Sequence, residues 1–359
     1  MVLSIYSKIK NKIGKGQGVA ARFLNKAPSN VQNTLAKALL YPYQYPNLDP
    51  FIKSMMAVQL KQGKIGFIGS DAEASRKAFE SQMHSIATKP TFVKKVETMQ
   101  LALTSGNIQA RHYHPAPEQM LPLIIFYHGG GFVVGSIDTH DEACRLLAVH
   151  ANAQVLSVNY PLAPEASPQQ LIQCCEEALV WVYKNSAHFK IFNNRIAVAG
   201  DSAGGNIATV IAQRTKLEAY APEAQLLIYP TVDLKSRHPS FFAYKDGLVL
   251  TESDIDHVIH FYAEQHGVEL DDPLVSPVYG DLKNVAPAYV LSAGHDVLHD
   301  EAEIYVHSLQ QEGIEVAYVD YEDQTHGFIN LTFISTRAKN ITIEVAENFR
   351  EFWDQHQQI

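Results

Sequence analysis

The chain has 359 residues, 46% of them hydrophobic and 19% charged, with 20 Gly and 17 Pro spread along it; without a low-complexity tract or fixed-period repeat, this composition excludes a disordered or solenoid protein. A formal net charge of −9 argues against nucleic acid as a partner, because neutralising phosphates needs a basic face. Three cysteines, Cys144, Cys174 and Cys175, form neither a disulfide framework nor a zinc spacing and suit a reducing compartment, so a cytoplasmic protein is expected.

The charge is unevenly placed. Met1 to Leu48 carries seven Lys/Arg and no Asp or Glu, which leaves a balance of −16 on the remainder. In this leader Val2, Leu3, Ile5, Tyr6, Ile9 and Ile13 can form one apolar helix face, with Lys8, Lys10, Lys12 and Lys15 opposite or flanking it. Such a helix either packs on its own protein or makes weak contact with an anionic membrane surface. No apolar run reaches the ~18 residues of a membrane span, and no secretory signal pattern is present.

Helical patterns continue to about Pro90, broken by the Pro-rich Tyr41–Pro50 segment and restarted at a helix N-cap expected at Ser70 or Asp71. From about Val96, short β-branched runs alternate with longer helical patterns, which predicts an α/β fold with a mostly parallel, eight-stranded sheet flanked by helices. The expected strands are Thr98–Leu103, Ile108–Tyr113, Leu121–Tyr127, Gln154–Asn159, Arg195–Ala199, Ala224–Tyr229, Ala288–Ser292 and Glu315–Tyr321. Helices are expected at Asp141–His150, Pro168–Ser186, Ala203–Leu217, Asp300–Glu312 and Lys339–Gln355. Lys235 to Leu282, with a helical Thr251–Gln265, interrupts the alternation. Residues 1–95 and this insertion at about 235–282 are therefore expected to form a helical cap over a catalytic domain of residues 96–359, at the strand ends where such sheets bind ligands.

Three motifs carry chemistry. Gly200-Asp201-Ser202-Ala203-Gly204 sits between an expected strand and an expected helix. A turn that sharp forces the serine backbone into a strained conformation that only small flanking residues accommodate. His128-Gly129-Gly130-Gly131-Phe132 closes an apolar strand about 70 residues earlier; its consecutive glycines let backbone N–H groups converge where negative charge builds on a carbonyl oxygen. Downstream, Asp296 and His326 each follow a strand. A serine hydroxyl needs a general base, and that base needs a carboxylate to fix its tautomer. Asp296 is preferred to Asp300 because it lies nearer the strand end. Asp201 is expected to hydrogen-bond structurally, since its side chain diverges from Ser202 in so tight a turn.

Together these residues resemble the hormone-sensitive-lipase-like family of α/β-hydrolases, particularly its bacterial GDSAG-type carboxylesterases, over about Asp49 to Ile359. Tyr160-Pro161-Leu162-Ala163-Pro164-Glu165 and Asp272-Pro273-Leu274-Val275-Ser276-Pro277 add to the likeness. The resemblance implies an α/β-hydrolase fold, a triad of Ser202, Asp296 and His326, and an oxyanion hole from amides of Gly129, Gly130, Gly131 and Ala203, two of the three glycines donating. It implies a serine esterase acting through an acyl-enzyme on small-molecule carboxylic esters of short to medium chain, as a monomer or homodimer. Pro161 stands where the family usually has Arg, which removes a charge that braces the scaffold. Val297 and His299 depart from the family's usual run after Asp296. An amidase or lyase using the same triad, or a silent ligand-binding relative, are the other readings.

No cofactor is expected, since nothing resembles a nucleotide fingerprint. No metal is expected either: His295 and His299 stand four apart, but no third ligand sits in a matching motif.

Overall fold

The computed structural model describes residues 17–39, 45–61, 63, 66–246 and 248–356. The amphipathic pattern between Val2 and Lys15 lies outside the described residues. Among the described residues four helices lead: α1 (Gln17–Asn25), α2 (Ser29–Ala38), α3 (Pro50–Lys61) and α4 (Ala72–Ile86). Of the two cap candidates it is Asp71 that starts α4, accepting the Ala74 N–H at 2.9 Å and satisfying a first-turn donor that has no partner within the helix.

The strands are β1 (Lys95–Leu103), β2 (Gly106–His114), β3 (Leu121–Tyr127), β4 (Gln154–Val158), β5 (Ile191–Asp201), β6 (Ala224–Ile228), β7 (Ala288–His295) and β8 (Val316–Thr325), in the sheet order β1-β2-β4-β3-β5-β6-β7-β8. The two pairings that involve β2 are antiparallel, and every pairing from β4 through β3 to β8 is parallel. After β3 come α5 (Asp141–His150), α6 (Pro168–Lys184), α7 (Ala203–Thr215), α8 (Pro239–Tyr244), α9 (Glu252–Tyr262), α10 (His299–Gln311) and α11 (Thr336–Gln355).

Every residue of β3 is buried, because helices cover both faces of the sheet. Leu123, Ile125 and Tyr127 share one core with Leu171 of α6, Ile207 of α7 and Tyr305 of α10. Their neighbours Ile124 and Phe126 point the other way, into a core with Leu147 of α5 and Ile341 and Phe349 of α11. The period-2 alternation of a strand thus serves two apolar layers, each large side chain contributing about 1.5–3 kcal/mol of burial. The three cysteines are free and buried, and no helix among the described residues is long and apolar enough to cross a membrane.

The strands and helices fall where the alternation predicts to within a few residues, and the two largest differences lie at strand ends. β5 begins at Ile191, ahead of the expected Arg195, and β8 runs on to Thr325 past the expected Tyr321. The added β8 residues include Glu322 and Asp323, acceptable on a strand that lies at the sheet edge among the described residues but invisible to a search for apolar runs.

The insertion between β6 and β7 holds α8 and α9, and α9 is stitched to the leading segment through one side chain. Asp254 Oδ1 accepts the N–H groups of Phe67 at 2.7 Å and Ile68 at 2.8 Å, while its Oδ2 accepts from Thr251, the α9 cap, at 2.6 Å. Phe132, just past the glycine run, stacks on Tyr262 of α9 at 3.7 Å between ring centroids. The loop around Pro161, where the expected arginine is missing, is braced from α4. Arg76 donates to the carbonyls of Val133 (2.8 Å) and Ala163 (2.7 Å) and pairs with Glu165.

Candidate active site

The carboxyl ends of β5, β7 and β8 meet at one edge of the sheet. β5 ends at Asp201 and α7 begins at Ala203, so Ser202 carries the whole reversal, at φ 55° and ψ −119°. A side chain held there costs about 1–3 kcal/mol. The turn closes because its flanks lack side chains: a Cβ on Gly200 would overlap the backbone of Gly204, and one on Gly204 would overlap the carbonyl of Tyr127. The Ser202 N–H donates to the Ile228 carbonyl at 2.9 Å, tying the turn to the end of β6.

His326 follows β8 and Asp296 follows β7. The His326 Nε2 lies 2.9 Å from Ser202 Oγ, and its Nδ1 lies 2.7 Å from Asp296 Oδ2. The second carboxylate oxygen of Asp296 accepts the Leu298 N–H at 3.0 Å. Ser202, His326 and Asp296 are 7%, 5% and 2% exposed, so water competes little for these bonds. A carboxylate facing Nδ1 puts the proton on that nitrogen and leaves the Nε2 lone pair toward the hydroxyl. Asp300, the rejected candidate, accepts the Ser240 N–H at 2.8 Å and takes no part in this chain of bonds.

The glycine run arrives from β3. The sequence leaves open which two of the three glycines donate; the Gly129 N–H is already committed to Asp201 Oδ1 at 2.8 Å. It joins the glycine loop to the serine turn, and Gly130 lines the same cavity as Ser202. Gly130 stands at φ 123° and Gly131 at φ 59°, a backbone course that glycine adopts freely. His128 anchors the loop from behind. Its Nδ1 donates to the Gly129 carbonyl at 2.8 Å, and its own carbonyl accepts the Tyr160 hydroxyl at 2.5 Å. Burial, then the neighbouring His140, pushes the His128 pKa down to about 3, so the ring is neutral and supports the loop as a fixed donor.

Asp201 has the structural role its position suggests. Burial raises its pKa, but His140, the Gly129 amide and His128 together outweigh that and hold it below the usual carboxylate range. Two further residues carry no sequence signal. His140, at the start of α5, places Nε2 3.3 Å from Asp201 Oδ1, and Asn330, four positions after His326, places Nδ2 3.2 Å from the same nitrogen. The loop, the serine turn and the histidine segment thus meet in one buried polar cluster.

His299 lies between Asp320 (3.3 Å) and Asp300 (3.2 Å). Its bond to Asp320, which outweighs partial burial, raises its pKa to about 9. Among the described residues, His299, Asp300 and Glu303 bring ligand atoms within 4.8 Å of one another. His295 does not join them.

A cavity of about 610 Å³ opens above Ser202, His326 and Gly130. Its walls are side chains of α1, α3 and α4 with the Leu248–Val249 and Leu331–Ile334 segments.

A family model of the alpha/beta hydrolase fold matches residues 124–330. The carboxylic ester hydrolase LipN of Mycobacterium tuberculosis is 34% identical over 79% of this chain and 77% of its own. The ethyl acetate hydrolase of Pseudomonas putida is 32% identical over 78% of this chain and 90% of its own. Among solved structures, a hyperthermophilic esterase of Pyrobaculum calidifontis superposes with a TM-score of 0.78 at 33% identity, covering 85% of this chain and 98% of that one. An ester hydrolase from the Lake Arreo metagenome, complexed with a bipyridine phosphonate derivative, gives 0.80 at 32% identity over 86% and 99%.

Proposed function

The chain belongs to the α/β-hydrolase fold family, and from that premise we infer a serine esterase that hydrolyses small-molecule carboxylic esters, with Ser202 as nucleophile, His326 as general base and Asp296 as the residue that orients it. The observation that carries the reading is the unbroken bond chain from Asp296 Oδ2 through His326 to Ser202 Oγ, at 2.7 and 2.9 Å.

The reaction follows from the atoms. As Ser202 Oγ attacks the ester carbonyl carbon, its proton passes to His326 Nε2, and the imidazolium that forms is stabilised by Asp296. Negative charge on the carbonyl oxygen is met by the N–H groups of Gly130, Gly131 and Ala203, the last at the positive end of α7. Collapse of the tetrahedral species breaks the bond to the alkoxy oxygen, which leaves as alcohol with the proton from His326. Water then attacks the acyl-serine in the same way, giving the carboxylic acid and free Ser202. Residues 17–86 together with α8 and α9 act as the cap over this site, and the acyl chains accepted are of short to medium length.

The test is covalent labelling. A fluorophosphonate should modify the wild-type chain once and stop hydrolysis of p-nitrophenyl acetate, and the label should map to Ser202. Ser202→Ala should take no label and lose kcat by on the order of 10⁴-fold or more; an unlabelled wild-type chain, or an active Ser202→Ala, would overturn the assignment.

A further inference from the structure

The resemblance to known esterases begins at about Asp49, yet α1 lies ahead of that point and closes part of the reaction cavity. Three of its residues, Ala20, Ala21 and Leu24, face the same hollow as Ser202 and His326. The helix is fastened through its second half. Arg22 Nη1 donates to the Ile86 carbonyl, the last residue of α4, at 2.8 Å, and Asn25 Nδ2 donates to Thr336 Oγ1, the first residue of α11, at 2.9 Å. It also approaches α4 without a gap, since a Cβ on Gly18 would stand 2.5 Å from the Ser85 carbonyl oxygen. Ala20 and Leu24 are buried at 5% and 3% exposure.

The floor of the hollow is polar, with Ser202, His326, Asp201 and His140, while the walls toward α1 are mainly apolar, with Met55, Met56, Met83 and Phe79 set among Gln59, Ser81, Gln82 and Ser85. Thioether and aromatic side chains without a charge give a flexible alkyl chain surface to lie on and no polar group to satisfy. The volume of about 610 Å³ far exceeds an acetyl group. At ~30 Å³ for an atom group the size of water, it has room for an aliphatic chain of on the order of ten carbons as well as the ester itself.

We propose that α1 is the end wall of a chain-binding groove, and that Ala20, Ala21 and Leu24 set the length of the aliphatic chain an ester can present to Ser202. The preferred substrates are then medium-chain aliphatic esters. This rests on the esterase reading above and adds the structural element that limits chain length. Two alanines side by side leave depth that a larger residue would fill, and Leu24 sits one turn further along the same face.

The test uses the full chain and two ester series: p-nitrophenyl esters from acetate to laurate, which vary the acyl side, and alkyl acetates from ethyl to decyl, which vary the alcohol side. In the series that enters the groove, kcat/KM should climb about threefold to fourfold per added methylene and then level off. In Ala21→Phe the plateau should come several carbons earlier, with the longest-to-shortest activity ratio reduced at least tenfold. In Leu24→Ala it should come later. Thermal melting of each variant separates misfolding from altered selectivity, and Leu24→Ala alone decides if Ala21→Phe does not fold. Profiles of the folded variants that overlay the wild type in both series would overturn the proposal while leaving the esterase assignment intact. Hydrolysis that survives Ser202→Ala at every chain length would instead overturn the esterase assignment.

Discussion

Below the reaction cavity, each group is held by directional bonds: Ser202 by its backbone link to Ile228, His326 by Asp296, Asp296 by Leu298, and the glycine loop by Asp201. Above it, Leu24, Met55, Phe79 and Met83 make the surface mainly apolar, with Gln59, Gln82 and Ser85 between them. The floor is a set of fixed distances, in which an ångström of displacement breaks the proton path. The roof is a set of volumes, in which a side chain can be exchanged and its neighbours can refill the space. Chemistry and selectivity are thus built from different physics in adjoining parts of one cavity, and they should respond to mutation on different scales.

The contrast breaks most visibly at Asp296. Asp296→Asn keeps the shape but presents the wrong group to His326 Nδ1, favouring the tautomer in which Nε2 carries the proton and cannot accept from Ser202. A loss of kcat of about 10⁴-fold is expected, with little change in KM, measured by steady-state hydrolysis of p-nitrophenyl esters. A loss below tenfold would show that the carboxylate does not set the tautomer.

A smaller effect is expected at Gly130. There a Cβ would overlap the Val134 carbonyl, so Gly130→Ala must displace the loop and its amide. Removing one oxyanion donor typically costs about 10²- to 10³-fold in kcat. Circular dichroism and melting should show the fold retained.

The third way to sharpen the comparison separates loss of chemistry from loss of fold in acid. His112 in β2 is buried and bonded to Gln154 at 2.8 Å, and burial pushes its pKa down to about 4. An unfolded histidine titrates near ~6.5, so between these values the unfolded chain binds the extra proton. The stability conferred by the neutral ring is therefore complete above about pH 6.5 and is lost as pH falls toward 4, by on the order of 3 kcal/mol. His128, pushed down to about 3, acts in the same direction. Melting temperature should drop on acidification, and His112→Gln should drop less between pH 7 and 4.5; equal drops would assign the acid sensitivity elsewhere.

The floor was largely legible in the sequence, and the roof was not. Gly200 and Gly204 mark a turn that nothing bulkier can make, and strands of β-branched residues fix the order in which the acid and histidine reach the edge. Such requirements are local, so they leave local traces. Which glycines donate stayed open because the partner of the Gly129 amide, Asp201, lies 72 positions away, and a run of three glycines does not reveal which amide is already bonded. His140 and Asn330 left no mark among 16 histidines and an ordinary set of asparagines. The alanines of α1 read as plain helix formers, and only the fold turns their smallness into depth.

The backbone of Ser202 has one more consequence. A residue with a side chain is held at φ 55°, where glycine alone would rest without strain. Replacing the nucleophile by glycine would relax that tension as it abolished turnover, so the working protein lies uphill of an inert sequence one substitution away. Random drift would run toward the sturdier, silent version, and only continued demand for its product keeps the reactive one in place.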